Sequence, residues 1–241
     1  MAKFQLLVLI DSILLSTTSK DTLVLCRKVN DVFSTALAVA SVNPANARIP
    51  PLLSQNMFSW ADEYKVRLSY QHENGALIVS QSNSIDIKHG QTSHFFNKVL
   101  QPAVTTVVDT SEVVEKDLDI FNIAEAPYNS TVEVLQKAGA SSSFFPIYRF
   151  HPAGFSQDFP ISVSNEFSLF WTGFNVSYGD DIKPSGNRYE FVISEGAKPT
   201  TIRFGFAQSD SPGPREDPTW QTDINEASTE LLSIGDLRPK L

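Results

Sequence analysis

The sequence predicts a mainly β fold, either an antiparallel β-sandwich or a jelly-roll-like arrangement, with one short internal helix and a C-terminal helix. Three observations lead to this prediction. Apolar and polar residues alternate from Tyr64 to Tyr70, as in a half-buried strand. Turn signals such as Asn74-Gly75 separate short apolar runs, as they do in sandwiches and barrels. The aromatic-dense run from Phe144 to Tyr178 supplies large rings for a core.

The composition of the chain bounds its class and its partners. With 241 residues, of which 41% are hydrophobic and 19% charged, it can form one large β-domain or two smaller ones. Its formal net charge is -8. An acidic chain without a Lys/Arg cluster repels phosphate backbones, so we expect no nucleic-acid partner. No apolar run approaches the roughly 18 residues of a membrane span, so we expect no integral membrane segment.

The first residues and the cysteine usage bear on localisation. Lys3 followed by the apolar run Phe4–Ile10 resembles the start of a signal peptide, but Asp11 interrupts that run and no small-residue cleavage site follows. We therefore expect the first strand of a cytoplasmic or unconventionally secreted protein, with no clear signal peptide. Cys26 is the single cysteine, which excludes an internal disulfide and fits a reducing compartment.

The first half of the chain is predicted to form successive strands separated by turn residues. These strands are Phe4–Ile10, Ile13–Ser16, Thr22–Val29, Val32–Val42, Tyr64–Tyr70, Ala76–Ser82 and Ile85–Ile87. A short helix is the alternative for Val32–Val42, whose residues are small and apolar. Residues 43–56 carry three prolines and are expected to form a long loop.

The second half is predicted to complete an all-β body over residues 1–207, with a subdivision near 100–112 as the alternative. Ser130 and Glu133 form a capping-box pattern and Gly139 supplies a stop, which together predict a helix at 130–139. Strands are expected at 118–123, 167–178, 189–193 and 202–206. Residues 208–222 are Pro-rich and polar, which indicates a linker, and 223–241 is expected to be a helical tail. Exchange of this tail between subunits would produce a homo-oligomer.

No motif in the sequence predicts catalysis, a cofactor or a metal. The four histidines, at positions 72, 89, 94 and 151, have no metal-binding spacing. There is no glycine-rich phosphate loop, and the residues around Ser156 lack the second glycine of a nucleophile elbow. Asp180 and Asp181 would suit a calcium ion, but the sequence offers no third or fourth ligand beside them.

The candidate ligand-binding residues are aromatic side chains in loops, together with polar turn residues. Trp60 follows the predicted loop, and Tyr178 precedes the turn that contains Asp180 and Asp181. Each place joins a flat apolar ring to hydrogen-bonding groups, as sites for sugars and membrane interfaces do. A core position is the alternative for Trp60 and the expectation for Trp171. Trp220 is expected to be exposed unless it attaches the tail to the body.

These features favour a non-catalytic soluble binding protein that recognises a cell-surface ligand, either a glycan or a membrane lipid. A defence or toxin-type protein that forms membrane pores is a special case, in which residues 101–123 would insert as a hairpin. Two alternatives remain at this stage. One is an enzyme on a β-scaffold, and the other is a jelly-roll structural or assembly subunit.

Overall fold

The computed structural model describes residues 3–17, 22–42, 44, 49–71, 79–105, 120–126, 130–138, 143–150, 159–174, 176–182, 188–193, 199–206 and 218–222. Most of these residues lie in strands, as the sequence predicts. In chain order the elements are β1 (Lys3–Ile10), α1 (Ser12–Thr17), β2 (Thr22–Val29), β3 (Ala36–Ser41), β4 (Gln55–Gln71), β5 (Val79–Gln81), β6 (Ile85–Ile87), β7 (Gln91–Phe96), β8 (Val99–Leu100), β9 (Val104–Thr105), β10 (Ile120–Ala124), β11 (Ser130–Ala138), β12 (Phe144–Phe150), β13 (Phe159–Thr172), β14 (Tyr189–Val192), β15 (Thr200–Gly205) and β16 (Thr219–Thr222).

The strands form two sheets. The first has the order β12-β11-β4-β1-β15-β16, and the short strands β5 and β6 also pair with the long strand β4. The second has the order β3-β2-β13-β10-β7-β8, with β14 paired to β13 and β9 to β7. Most pairs are antiparallel, as predicted, but β1 pairs in parallel with β15, and β10 in parallel with β7. The sheets are therefore mixed.

The main core lies between the sheets, in a β-sandwich-like arrangement. Leu6 and Val8 of β1 meet Leu23 and Leu25 of β2 in one apolar cluster, to which both sheets contribute. A smaller cluster covers the other face of the second sheet, where Val24, Cys26 and Phe170 pack beneath loop residues. Strands β2 and β13 are thus covered on both faces, which explains why both of their alternation phases are apolar.

Two predicted elements are corrected by the structure. Residues 130–138 form β11 rather than a helix, because Val132 and Val134 are fully buried in the inter-sheet core. The capping-box pattern is local, and burial of this apolar face outweighs it. The predicted strand Ile13–Ser16 is the helix α1, which turns the chain after β1 and buries Leu14.

The end of the predicted linker is also corrected. Thr219–Thr222 forms β16, which pairs antiparallel with β15 in the first sheet. Trp220 stacks on Trp171 and Tyr189 at centroid distances of 6.2 and 6.0 Å, so it attaches this segment to the body. The predicted turn at Asn74-Gly75, residues 106–119 and the predicted helix at 223–241 lie outside the described residues. Across the described part of the chain, no helix has the length and hydropathy needed to cross a membrane.

Candidate functional site

The predicted turn beside Tyr178 forms, and it brings three of the four predicted ligand residues together. The Asp180 amide donates to the Ser177 carbonyl at 3.1 Å, and Gly179 adopts a φ of 79°, as the third residue of a type II turn does. The Asp180 carboxylate accepts a hydrogen bond from the Ser177 amide at 2.7 Å. Asp180 is exposed, but its side chain already stabilises the turn.

The same loop closes one side of the sandwich, between the edge strands β3 and β12. The Gly179 amide donates to the Ala36 carbonyl at 2.8 Å, and the Ala36 amide donates to the Asp180 carbonyl at 3.0 Å. On the other side, Arg149 of β12 donates from Nη1 to the Gly179 carbonyl and to the Asp181 carboxylate, both at 2.8 Å. Asp181 therefore holds the loop against the first sheet.

Arg149 belongs to a row of charges across three strands of the first sheet. Glu133 of β11 lies between Arg67 of β4 and Arg149 of β12, and it accepts hydrogen bonds from both guanidinium groups. Burial alone would raise the pKa of Glu133, but the bonds from Arg149 and Arg67 outweigh it and lower the pKa below its ordinary value. The row is thus fully paired, which indicates a structural role.

Tyr178 is half-buried in this region. Its ring packs against Phe145 of β12 at a centroid distance of 4.9 Å, and burial raises the pKa of its hydroxyl. No group of three or more His, Cys, Asp or Glu side chains suited to a metal occurs among the residues that the structure describes. Tyr178, Asp180 and Asp181 therefore lie together, but the carboxylates bind the protein's own backbone and Arg149.

The close packing of the turn on β12 gives a direct test. A Cβ at Gly179 would lie 2.6 Å from Cδ of Pro146, in addition to the cost of a positive φ. We expect Gly179→Ala to lower the free energy of unfolding by about 1–3 kcal/mol, measured by urea denaturation. Gly173→Ala is the matched control, because a Cβ there meets nothing within 4 Å. Equal effects of the two substitutions would contradict the described packing of the loop.

Trp60, the fourth predicted ligand residue, lies in the core and not on a loop. It is 3% exposed, stacks on Phe4 at 6.0 Å and packs against Phe167 at 4.9 Å. The predicted loop over 43–56 ends earlier than expected, because β4 begins at Gln55. A ring so deeply buried is not available to a ligand at the surface. The core alternative for Trp60 therefore describes its position.

Sequence reasoning missed a polar cluster around the buried Arg27, close to Trp60. Arg27 of β2 is 1% exposed and donates to the Asp62 carboxylate, the Asn165 side-chain oxygen and the Ser164 carbonyl, at 2.8, 2.8 and 2.7 Å. Its guanidinium carbon also lies within 5.4–5.8 Å of the ring centroids of Phe4, Tyr64 and Phe167. Asp62 belongs to the first sheet and Asn165 to the second, so Arg27 links the two sheets.

Bulges place the partners of Arg27. The register of β13 against β2 shifts between Val163 and Phe167, which puts Ser164 and Asn165 in a bulge. The register of β4 against β11 shifts where Asp62 lies, between Trp60 and Tyr64. Bulges re-aim side chains that a regular ladder would point elsewhere. The available signal was the inward alternation phase of Arg27 and Asp62 within otherwise apolar strands.

A surface feature at the edge of the second sheet was missed as well. Strands β7 and β8 form a hairpin in which Phe96 pairs with Val99, joined by Asn97 and Lys98. Both joining residues have positive φ, 50° and 67°, as in a type I′ turn. This hairpin follows a turn at His89-Gly90.

Three apolar side chains of this edge share one exposed face. Phe95 and Leu100 pack against the core, so the opposite phase at the end of β7, which contains His94 and Phe96, points outward, whereas Thr92 of the same phase is buried. The register places Val99 opposite Phe96, and Val104 of β9 opposite Thr92, on that outward face. Phe96, Val99 and Val104 are 61%, 42% and 55% exposed. We call these three residues the β7 patch.

No protein-family model, no curated protein and no solved structure matches the chain.

Proposed function

We propose that this protein is a non-catalytic binding protein that attaches to a cell surface through membrane lipid, with the β7 patch as the contact. The observation that carries the proposal is the outward face of β7–β9, where Phe96, Val99 and Val104 are all exposed. Single exposed apolar residues are ordinary on protein surfaces. Here Phe96 and Val99 are cross-strand neighbours beside a turn, and Val104 lies opposite Thr92, four residues further along β7. Exposed apolar residues grouped in this way mark interaction sites.

The shape of the hairpin supports a lipid interface as the ligand. A two-residue turn lets Phe96 and Val99 approach a flat surface together, and a bilayer interface accepts aromatic and aliphatic side chains without needing a shaped pocket. Lys98 lies in the turn and is exposed. An apolar face with an adjacent cation is the pattern of segments that lie in membrane interfaces.

A glycan is supported less well by the arrangement around Tyr178. Sugar recognition needs polar groups with free hydrogen-bonding capacity beside an accessible ring. Here Asp180 accepts from Ser177, Asp181 accepts from Arg149, and the Tyr178 ring packs on Phe145. We therefore propose lipid rather than glycan, and a glycan array serves as the comparison experiment.

The proposal predicts that vesicle binding depends on the β7 patch. We expect the double substitution Phe96→Ser and Val99→Ser to weaken binding to liposomes by about tenfold or more. The serine side chains bury much less apolar surface against the membrane than phenylalanine and valine do. Cosedimentation with vesicles measures the effect. Phe174→Ser is the control, since Phe174 is 76% exposed but follows β13, whose end lies at the opposite end of the sheet from Phe96. Thermal unfolding should remain nearly unchanged in both variants, as expected for surface positions.

Two results would overturn the proposal. One is wild-type protein that fails to bind vesicles of any composition, and the other is equal loss of binding in the Phe174 control. Pore formation is a separate extension of the same proposal and requires residues 101–123, most of which lie outside the described residues. Dye release from vesicles that bind the protein tests it directly.

A further inference from the structure

The turn between β7 and β8 contains a residue type that its backbone disfavours. Lys98 has a φ of 67° at the second central position of a type I′ turn, where glycine is strongly preferred. Asparagine tolerates positive φ, so Asn97 is an ordinary choice at the first position. A lysine with its Cβ in this region costs on the order of 1 kcal/mol relative to glycine.

A second turn of the protein provides a comparison. Asn30 and Asp31 also have positive φ, 46° and 63°, and join Val29 to Val32, which exchange two backbone hydrogen bonds of 3.0 Å. Aspartate is among the residues that adopt this conformation readily. Lysine is not, so the hairpin of β7 and β8 carries a cost that the other turn largely avoids. Unfavourable backbone conformations of this kind concentrate at functional sites.

We propose that Lys98 binds the anionic headgroups of membrane phospholipids, an inference that rests on the proposed lipid-binding function and specifies which lipids are recognised. Lys98 is exposed. It adjoins Phe96 and Val99 in the hairpin. When the two apolar side chains enter the interface, the ammonium group reaches the headgroup level, as lysine side chains at interfaces do.

The charges around the hairpin permit this contact. His94, on the same face of β7 as Phe96, has its Nδ1 atom 3.6 Å from a carboxylate oxygen of Glu125. The net charge of -8 repels an anionic membrane as a whole. Such repulsion falls off within about 8 Å at physiological ionic strength, so a local cation at the point of contact decides the interaction.

The test compares Lys98→Gly with Lys98→Arg and Asp31→Gly. Vesicles of phosphatidylcholine alone and vesicles that also contain phosphatidylserine are titrated with each protein. We expect Lys98→Gly to raise the unfolding temperature, because glycine adopts the positive φ of this turn without the cost that lysine has. Binding of the same variant to phosphatidylserine vesicles should weaken about fivefold. Lys98→Arg should retain that binding. Asp31→Gly should bind both kinds of vesicle like the wild type.

The outcomes separate this inference from the proposed function. If wild-type protein binds both kinds of vesicle equally and Phe96→Ser with Val99→Ser abolishes binding to both, lipid attachment stands and the headgroup assignment is overturned. Unchanged phosphatidylserine binding in Lys98→Gly would overturn it as well, whatever the stability of that variant. If wild-type protein binds neither kind, the proposed function itself fails. Displacement from vesicles by inorganic phosphate at constant ionic strength would show a free anion as the ligand and also overturn the headgroup assignment.

Discussion

Replacing Arg27 by alanine should lower the free energy of unfolding by about 3–5 kcal/mol, as removal of one partner of a buried ion pair does. The substitution leaves the Asp62 carboxylate without its cation and Asn165 without its donor. It also empties the space between the rings of Phe4, Tyr64 and Phe167. Denaturation in urea, monitored by tryptophan fluorescence, measures the loss.

The neighbouring residue Lys28 provides the control for this prediction. Lys28 lies on the same strand and pairs with Glu166 at 2.9 Å, but that pair is partly exposed, with side-chain exposures of 23% and 44%. Exposed ion pairs contribute little to stability, so Lys28→Ala should cost much less than Arg27→Ala. Comparable losses in the two variants would mean that Arg27 does not join the sheets as described.

Replacing Trp60 by alanine should cost about 3–5 kcal/mol, as for other buried aromatic side chains. The ring is 3% exposed and packs on Phe4 and Phe167, so its removal leaves a cavity between the sheets. Binding of the remaining folded protein to vesicles should be unchanged. Trp60→Phe, which retains a ring, should lose less stability. A stable Trp60→Ala protein that no longer binds vesicles would contradict the core position of Trp60 and show that it contacts the ligand.

Much of the fold could be predicted from local patterns. The strand Thr22–Val29 was predicted with its observed bounds, because a mainly apolar run lies between polar turn residues. The predicted first strand, Phe4–Ile10, differs from β1 by one residue. The aromatic run was predicted to supply core rings, and Phe167 and Phe170 do so, one in each apolar cluster. Alternation and turn chemistry contain this information directly.

The errors came from residues whose partners are distant in sequence. The predicted strand Tyr64–Tyr70 covers only part of β4, which begins at Gln55 and includes the inward-facing Asp62. Its partner Arg27 lies 35 residues away, and only the folded structure reveals the pair. The pattern around Ser130 and Glu133 fitted a helix cap, but Glu133 pairs with Arg67 and Arg149 across a sheet. Capping patterns are weak where tertiary burial opposes them.

The candidate sites were predictable to different degrees. Tyr178, Asp180 and Asp181 were placed together correctly because they are neighbours in the sequence, but the contact of Asp181 with Arg149 spans 32 residues and was not foreseen. The β7 patch was overlooked because its turn has Lys98 where a hairpin signal would have glycine. The residue that obscured the hairpin in the sequence is the one that we propose to contact the headgroup.

The parallel ladder between β1 and β15 has a consequence for the order in which the fold can be assembled. It joins Leu6 to Thr200, so one edge of a strand in the middle of the first sheet stays unpaired until much of the chain has been synthesised. At ribosomal rates of about 5–20 residues per second, that interval is roughly 10–40 seconds. Long-range pairing of this kind slows folding and leaves an apolar strand open to other chains. The β1–β15 ladder of the first sheet can therefore form only after β15 has been synthesised, long after β1.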